Sequence, residues 1–232
     1  MKREEFIRNL LQPYSLVAVL SEKNGGQVLR LRNKTMDRDL IVRSYPSPFD
    51  AYSRLYCILC KNLPETYDVI DLDDGQIVLE EFIDGITVAQ ILEVERYRFR
   101  NAKEVLTGVC NALAVLHDNG IVHRDVKPEN VIVSGDRIVL IDLNASRIIS
   151  DAPKDTTIMG TVGYASPEQL GLAQSDARTD IYAVGVLMNV MLTGKHPTET
   201  FASGHAGKII RKCTALNPDD RFQTALKLLE SL

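Results

Sequence analysis

The sequence of 232 residues lacks an apolar segment long enough to cross a lipid bilayer. Its longest mostly apolar run, residues 181–192, falls short of the roughly 18–20 residues that a spanning helix needs. Residues 1–5 (MKREE) carry acids, and the start of the chain lacks a hydrophobic signal core. These absences predict a cytoplasmic protein that makes no contact with a membrane.

Cysteine is scarce, with four residues that have no regular spacing, and this fits a reducing compartment. Cys57 and Cys60 form a C-x-x-C pair, but no second pair follows and both fall in a stretch with a helical pattern. We therefore expect a buried helix face there rather than a redox or zinc site.

The formal net charge of −4 gives no general attraction to nucleic acid. The acids are unevenly distributed, because residues 62–95 hold ten of them and no Lys or Arg. Two interpretations stay open for this stretch: a solvated turn around residues 71–75, or an acidic docking face for a basic partner.

Apolar residues make up 45% of the chain and charged residues 25%, the proportions of an ordinary globular protein. The first third alternates in the manner of strands, interrupted by one helical stretch. The predicted elements are strands at 15–20, 27–33 and 39–44 with a turn at 24–26, a helix around 50–60, and strands near 66–71 and 76–82. A break at residues 84–85 follows this small sheet with one helix.

Helical patterns dominate the rest of the chain. Apolar residues recur at steps of three and four, and the predicted helices are 99–116, 177–192 and 222–232. Two short strands, 131–133 and 138–141, flank a turn. This arrangement is expected to bring Asn130 and Asp142 to neighbouring strand ends, where both can reach one metal ion.

Five motifs follow one another in the second half: residues 123–130 (HRDVKPEN), 142–144 (DLN), 160–168 (GTVGYASPE), 180–186 (DIYAVGV) and 220–222 (DRF). Their order and spacing resemble those of the eukaryotic-like protein serine/threonine kinase family. The compact length resembles bacterial members of that family. The resemblance covers nearly the whole chain, with a divergent first lobe.

The resemblance implies an α+β, bilobal protein-kinase-like fold in which a small antiparallel sheet with one helix forms the first lobe and the second lobe is mainly helical. A single kinase domain is expected to occupy residues 1–232. Its N-lobe is expected at about 1–82, its hinge at about 81–86 and its C-lobe at about 87–232.

The resemblance also implies ATP and Mg²⁺ as cofactors and assigns the chemistry to a few residues. Asp125 accepts the proton of the substrate hydroxyl, and Lys127 places an ammonium near the transferred phosphoryl group. Asn130 and Asp142 offer the hard oxygen ligands that Mg²⁺ prefers. Lysine at position 127 resembles the serine/threonine branch and argues against tyrosine specificity. Thr161 is expected close to Asp125 and Lys127.

Three further roles follow from the motifs. His123 is expected to be a structural imidazole bonded within its loop. Arg124 can receive an activation-loop phosphate, and Thr156 or Thr157 lies where the phosphorylated residue could sit. The arginine of the last motif, Arg221, is expected to pair with Glu168.

The first lobe departs from the family pattern at the nucleotide. In residues 21–28 (SEKNGGQV), only Gly26 and Val28 match the G-x-G-x-x-G-x-V loop that covers the phosphates. Arg43 stands where the strand lysine is usual, and its planar fork is no substitute for a compact ammonium. Ile41 replaces a small residue and narrows the adenine cleft. The nucleotide-binding set implied by the resemblance is Gly26, Val28, Ile41, Arg43, Glu81 and Ile132.

The acid that normally pairs with the strand lysine is missing, because residues 51–63 contain no Asp or Glu. Glu80 instead occupies the gatekeeper position, where a buried carboxylate without a partner is costly. We therefore predict that Glu80 pairs with Arg43. Lys23, in the glycine loop, is an alternative source of the phosphate-binding lysine.

Three functions remain open on this sequence. An active serine/threonine protein kinase retains every group it needs in the second lobe. A pseudokinase acting as a regulatory or scaffolding module explains the degraded first lobe, and a small-molecule phosphotransferase is the third candidate. The expected partner is a protein substrate or a regulatory protein, and no feature of the sequence indicates an oligomeric state.

Overall fold

A computed structural model describes residues 1–149, 161, 163–170 and 174–232. The chain divides into two compact units. The first comprises residues 1–60 and 64–83, and the second comprises residues 61–63 and 84–232. No helix within these described ranges is both long enough and apolar enough to cross a membrane.

A five-stranded antiparallel sheet forms most of the first unit, in the order β1-β2-β3-β5-β4. Its strands are β1 (Tyr14–Lys23), β2 (Gly26–Asn33), β3 (Asp39–Tyr45), β4 (Thr66–Leu72) and β5 (Gly75–Glu81). All five lie where the alternating sequence pattern predicts them. Burial differs between them, since β3 is buried on both faces and β1 is largely exposed.

A two-residue turn joins β1 to β2. Lys23 pairs with Gly26, and the turn residues Asn24 and Gly25 have φ values of 52° and 72°. Two successive residues with positive φ are typical of a type I′ hairpin, and Asn-Gly is its preferred sequence. The turn also lies close to β3, since a Cβ on Gly26 would come within 2.8 Å of the Ser44 carbonyl oxygen.

The first unit contains two helices, α1 (Arg3–Leu10) and α2 (Asp50–Leu55), so the prediction of one helix was wrong. Phe6, Ile7 and Leu10 of α1 pack against a buried cluster on the sheet. That cluster consists of Leu29, Leu31, Leu40, Val42 and Ile77. Because α1 is short and largely charged, only its packing on the sheet makes it a stable element.

The predicted helix around residues 50–60 is too long by about a turn. It ends at Leu55, Tyr56 is extended, and Cys57 has a φ of 69°. Cys57 is exposed and Cys60 is partly buried outside the helix, so the expectation that the C-x-x-C pair forms a buried helix face was wrong. A residue in the left-handed region ends a helix at that point.

Two helices lie near the start of the second unit, before residues 123–130. Helix α3 (Val88–Val94) begins at Thr87 with a capping box to Gln90, and helix α4 (Phe99–Asp118) ends just before Gly120. Helix α4 begins at the predicted residue and ends two residues beyond the predicted range of 99–116.

Five short strands form two small sheets in the second unit. They are β6 (Ile86–Thr87), β7 (Ile121–Val122), β8 (Val131–Ser134), β9 (Arg137–Leu140) and β10 (Arg147–Ile148). The sheet orders are β6-β8-β9 and β10-β7, all antiparallel.

Three more helices lie in the described part of this unit: α5 (Ala177–Thr193), α6 (Gly204–Cys213) and α7 (Ala225–Leu229). Most of α5 is buried, as expected for a central helix. The predicted helix 222–232 is shorter than expected, because the Thr224 side chain accepts a hydrogen bond from the Lys227 amide and caps the first turn there.

Candidate active site

The loop between β7 and β8 carries the predicted catalytic residues, and α5 holds its backbone in place. Asp180, fully buried in the first turn of α5, accepts hydrogen bonds from the amides of His123 (2.9 Å) and Arg124 (2.8 Å). His117 Nε2 lies 2.8 Å from the same carboxylate. These bonds support the positive φ of 67° at Arg124. Asp180 thus fixes the loop from a position 55 or more residues further along the chain.

Asp125, Lys127 and Thr161 form a closed set of polar contacts. Thr161 Oγ1 donates to Asp125 Oδ1 at 2.6 Å, and Lys127 Nζ lies 2.7 Å from both Asp125 Oδ2 and Thr161 Oγ1. The threonine hydroxyl therefore receives one hydrogen bond and gives one. The expectation that Thr161 lies close to Asp125 and Lys127 is confirmed.

Burial of the Asp125 carboxyl favours its neutral form, but hydrogen bonds from Lys127 and Thr161 outweigh that effect. In sum they hold the pKa of Asp125 below its ordinary value. Asp125 is therefore an anion near neutral pH, which is the state that can accept a proton from a hydroxyl.

Asn130 turns its amide nitrogen towards Asp125, donating to the backbone carbonyl at 2.8 Å and to Oδ2 at 2.9 Å. The backbone carbonyl of Asn130 accepts a hydrogen bond from the Ile141 amide at 2.9 Å. Asp142 is the residue after Ile141, so its backbone lies next to that of Asn130. Asp142 has a φ of 70°, and its Oδ1 accepts from the Asn144 amide at 3.3 Å.

The chemistry of this pair fits Mg²⁺. With the Asn130 nitrogen bonded to Asp125, its side-chain carbonyl oxygen is the atom that could meet a cation, and Asp142 offers a carboxylate on the neighbouring segment. Mg²⁺ usually takes only one or two protein carboxylates and completes its shell with water and phosphate. The described residues contain no cluster of three or more His, Cys, Asp or Glu side chains that could hold a metal by itself.

His123 is fully buried, with Nε2 3.2 Å from the Ile141 carbonyl oxygen and Nδ1 accepting from the Asp125 amide at 3.3 Å. The expected bond within its loop, from the Asp125 amide, is confirmed. Burial lowers the pKa of Arg124, and the nearby charge of Arg147 lowers it further. Thr156 and Thr157, the residues whose phosphate Arg124 was expected to receive, lie outside the described residues.

Gln169, which the sequence analysis did not identify, ties the catalytic loop to the segment after Thr161. Its Nε2 donates to the Arg124 carbonyl at 2.8 Å, and its Oε1 accepts from the Ser166 amide at 3.0 Å. Only its position directly after the S-P-E triplet could have drawn attention to it. Asp180 was likewise noted only as the first residue of the 180–186 motif.

Glu168 and Arg221 form the predicted ion pair, in bidentate geometry. Arg221 Nη1 lies 2.6 Å from Oε1 and Nη2 lies 3.0 Å from Oε2, and Arg221 is only 2% exposed. Burial raises the pKa of Glu168, but the bond from Arg221 and its neighbours outweighs this effect and lowers the pKa overall.

In the first unit, Arg43 and Glu80 form the ion pair predicted from the sequence. Arg43 Nε lies 2.7 Å from Glu80 Oε1, with 5% and 4% of the two residues exposed. Arg43 lies opposite Val78 in the register of β3 and β5, so Glu80 is its diagonal neighbour on the same sheet face. The arginine guanidinium also lies 6.0 Å from the ring centroid of Tyr52 in α2.

Some of the predicted nucleotide-binding residues share that face. Val28 pairs with Arg43 across β2 and β3, and Ile41 pairs with Glu80 across β3 and β5. Gly26 lies at the end of the hairpin. Glu81 lies one position beyond Glu80 on β5, and its Oε2 accepts from the Glu65 amide at 3.2 Å. Alternation therefore turns Glu81 away from the face that carries Arg43. Ile132 belongs to β8 in the second unit.

These features define the class of the protein. The chain belongs to the protein kinase domain family, whose model matches residues 51–231. The expected α+β fold class of the protein kinases is confirmed. The matched span leaves out β1, β2 and β3.

The chain is similar to bacterial relatives. It is 31% identical over 184 residues to serine/threonine-protein kinase PknB of Mycobacterium tuberculosis, covering 67% of this chain and 29% of that protein. It is 31% identical over 167 residues to probable serine/threonine-protein kinase PknB of Lactococcus lactis, covering 68% and 27%. The chain therefore matches less than a third of the length of these curated relatives.

Proposed function

We propose that this chain catalyses ATP- and Mg²⁺-dependent phosphoryl transfer to serine or threonine hydroxyls of protein substrates. The closed contact of Asp125, Lys127 and Thr161 carries the proposal, because it joins a proton acceptor and a cation at one point. The serine/threonine-protein kinase names of the relatives support the substrate class.

Each residue has a defined task in this proposal. The ionised Asp125 orients the substrate hydroxyl and accepts its proton. Lys127 supplies positive charge beside the transferring phosphoryl group. Asn130 and Asp142 would hold Mg²⁺, which neutralises phosphate oxygens when bound. Thr161 keeps Asp125 and Lys127 in register.

A regulatory module without transfer activity is the second candidate, and the Arg43–Glu80 pair favours it. Arg43 occupies the position of the phosphate-binding lysine, and its Nε is bonded to a buried carboxylate. An active enzyme therefore needs phosphate contacts from the remaining guanidinium nitrogens or from Lys23. Nucleotide binding without transfer is the behaviour expected of this second candidate.

The test is to incubate the protein with Mg²⁺ and labelled ATP, with and without a general protein substrate. Asp125→Asn is the inactivating variant, and Asp136→Asn is the matched control, because Asp136 is exposed and pairs only at the surface with Lys61. Transfer that Asp125→Asn abolishes and Asp136→Asn retains supports the kinase.

Two other results would change the assignment. A thermal shift with Mg-ATP but no transfer in the unsubstituted protein would replace the kinase by the regulatory module. Labelling of small hydroxylated compounds alone, with no labelled protein, would indicate a small-molecule phosphotransferase.

A further inference from the structure

Helix α1 covers the sheet face opposite to Arg43. Its apolar residues pack on a cluster that includes Val42, and adjacent residues of a strand point to opposite faces. Arg3 is the first residue of this helix. It lies at the end of the sheet where the β1–β2 and β4–β5 turns are located.

Arg3 contacts both turns and the strand between them. Its Nη1 donates to the Gly25 carbonyl oxygen and to Ser44 Oγ, each at 3.0 Å. Its backbone amide donates to Asp74 Oδ1 at 2.7 Å, and its Nε lies 3.7 Å from Asp74 Oδ2. One partly buried side chain, 17% exposed, thus joins the β1–β2 turn to β3 and to the β4–β5 turn.

The β1–β2 turn has little other support on that side. A cleft of about 260 Å³ lies between α1 and the hairpin, lined in part by Arg3, Ile7, Lys23 and Gly25. A Cβ added to Gly25 would meet only Pro46, at 4.0 Å. Backbone pairing holds the base of the turn, and on the side of α1 the contact that the described residues give Gly25 is the polar bond from Arg3.

We propose that Arg3 is a positioning residue that holds the β1–β2 turn in a conformation ready for nucleotide. The proposal rests on the proposed function, in which residues 21–28 cover the phosphates of ATP. A turn that is fixed before binding loses less conformational entropy when the nucleotide arrives, so its restraint raises affinity. Arg3 itself does not touch the nucleotide.

Arginine suits this task better than lysine. Separate nitrogens of the guanidinium reach separate partners, because Nη1 bonds Gly25 and Ser44 while Nε lies beside Asp74, and a lysine has one nitrogen for all three. Lysine keeps the charge near Asp74 but lacks the planar fork. Arg3→Lys should therefore restore only part of what Arg3→Ala loses.

The experiment has a nucleotide-free arm and a binding arm, each run on the unsubstituted protein, Arg3→Ala, Arg3→Lys and Ser44→Ala. Ser44→Ala removes one acceptor and leaves α1 intact. Arg8→Ala is the matched control, since Arg8 is an exposed arginine of the same helix that bonds no residue in the described ranges. Circular dichroism establishes that each variant folds.

The nucleotide-free arm measures amide hydrogen exchange. In Arg3→Ala, exchange should accelerate at residues 24–26 and stay unchanged in the strand interiors, with a smaller effect in Ser44→Ala and none in Arg8→Ala. Unchanged exchange at the turn in Arg3→Ala overturns the tether. Acceleration throughout the sheet also overturns it, because Arg3 would then only stabilise the unit.

The binding arm measures the Kd for Mg-ATP. Arg3→Ala should raise it roughly three- to tenfold, the worth of a hydrogen bond, with partial rescue by Arg3→Lys. In a transfer assay the rise should appear in KM for ATP and not in kcat. An unchanged Kd overturns the positioning role even if the turn loosens. Failure of the unsubstituted protein to bind Mg-ATP overturns the proposed function, whereas the exchange arm judges the tether independently.

Discussion

Breaking the Arg43–Glu80 pair should destabilise the first unit strongly. Both side chains are about 95% buried, and removal of one partner leaves the other charge without its counterion. Loss of one member of a buried ion pair costs about 3–5 kcal/mol. Glu80→Gln keeps shape and one acceptor oxygen, so we expect about 3 kcal/mol, and about 4 kcal/mol for Arg43→Met.

The double replacement separates this effect from simple loss of packing. Arg43→Met combined with Glu80→Leu removes both charges and fills the space with apolar atoms, and such replacements are often neutral or stabilising. The double variant should therefore be more stable than either Glu80→Gln or Arg43→Met alone. Glu80→Leu alone, which leaves Arg43 without that acceptor, completes the cycle and should cost at least the roughly 3 kcal/mol expected for Glu80→Gln. Adding this to about 4 kcal/mol would predict a loss of about 7 kcal/mol or more for the double variant, on the order of a whole domain's stability.

Urea unfolding followed by circular dichroism, with hydrogen exchange at β3 and β5 to report on the first unit alone, measures these differences. Exchange is needed because a chain of two units need not unfold in one step. Single variants that lose less than about 1 kcal/mol, or a double variant less stable than both singles, would refute the reasoning.

Three further outcomes are expected in the second unit. Glu168→Gln should lower the melting temperature and make stability depend less on pH in the acid range. The lowered pKa of Glu168 contributes stability that is present above about pH 4.3 and is lost as pH falls through the folded-state pKa. A series of thermal melts from pH 7 to pH 3 measures both effects. Asp180→Asn should accelerate amide exchange at His123 and Arg124 and reduce transfer more than tenfold, since it weakens two charge-assisted bonds to the loop; unaltered exchange would contradict it. Thr161→Ala should reduce kcat while the protein remains folded, because Asp125 loses its 2.6 Å bond, and Thr161→Ser should restore most of the rate.

Much of the second unit could be predicted because its chemistry lies in short, ordered motifs. Asp125, Lys127 and Asn130 are at most five residues apart, so their proximity needs little knowledge of the fold. Their assignment to catalysis and to Mg²⁺ remains a prediction. The pairing of Glu168 with Arg221 spans 53 residues, and only the family resemblance made it predictable.

The Arg43–Glu80 pair could be predicted from the resemblance and physical chemistry together. The resemblance placed Glu80 at the gatekeeper position and Arg43 at the position of the strand lysine, and a buried carboxylate without a partner is costly. The roles of Asp180 and Gln169 could not be found this way, because each depends on a contact with a backbone group at least 45 residues away. Nothing in the local sequence of either residue names that partner.

The predictions for the two first-unit helices failed for different reasons: α1 was missed, and α2 was predicted too long. Helix α1 is too short to be stable alone, and its apolar residues became meaningful only once a sheet face was present to receive them. Helix α2 has a suitable apolar pattern beyond Leu55, but the chain turns at Cys57 in a left-handed conformation that favours glycine. No glycine stands there to signal the turn.

The acid that pairs with Arg43 lies on a strand, as Glu80 of β5, and not on the helix as in the family pattern. This changes which element determines the position of the Arg43 side chain. In kinases with a lysine–glutamate pair between strand and helix, the position of the helix decides whether the pair forms. Here both partners lie on adjacent strands, so the register of β3 and β5 fixes their separation whatever α2 does. In α2 the only acid is Asp50, and the helix contributes instead the Tyr52 ring, whose centroid lies 6.0 Å from the Arg43 guanidinium. A second first-unit helix, α1, is joined to the sheet by a different device, because Arg3 bonds the carbonyl oxygen of Gly25 in the β1–β2 turn.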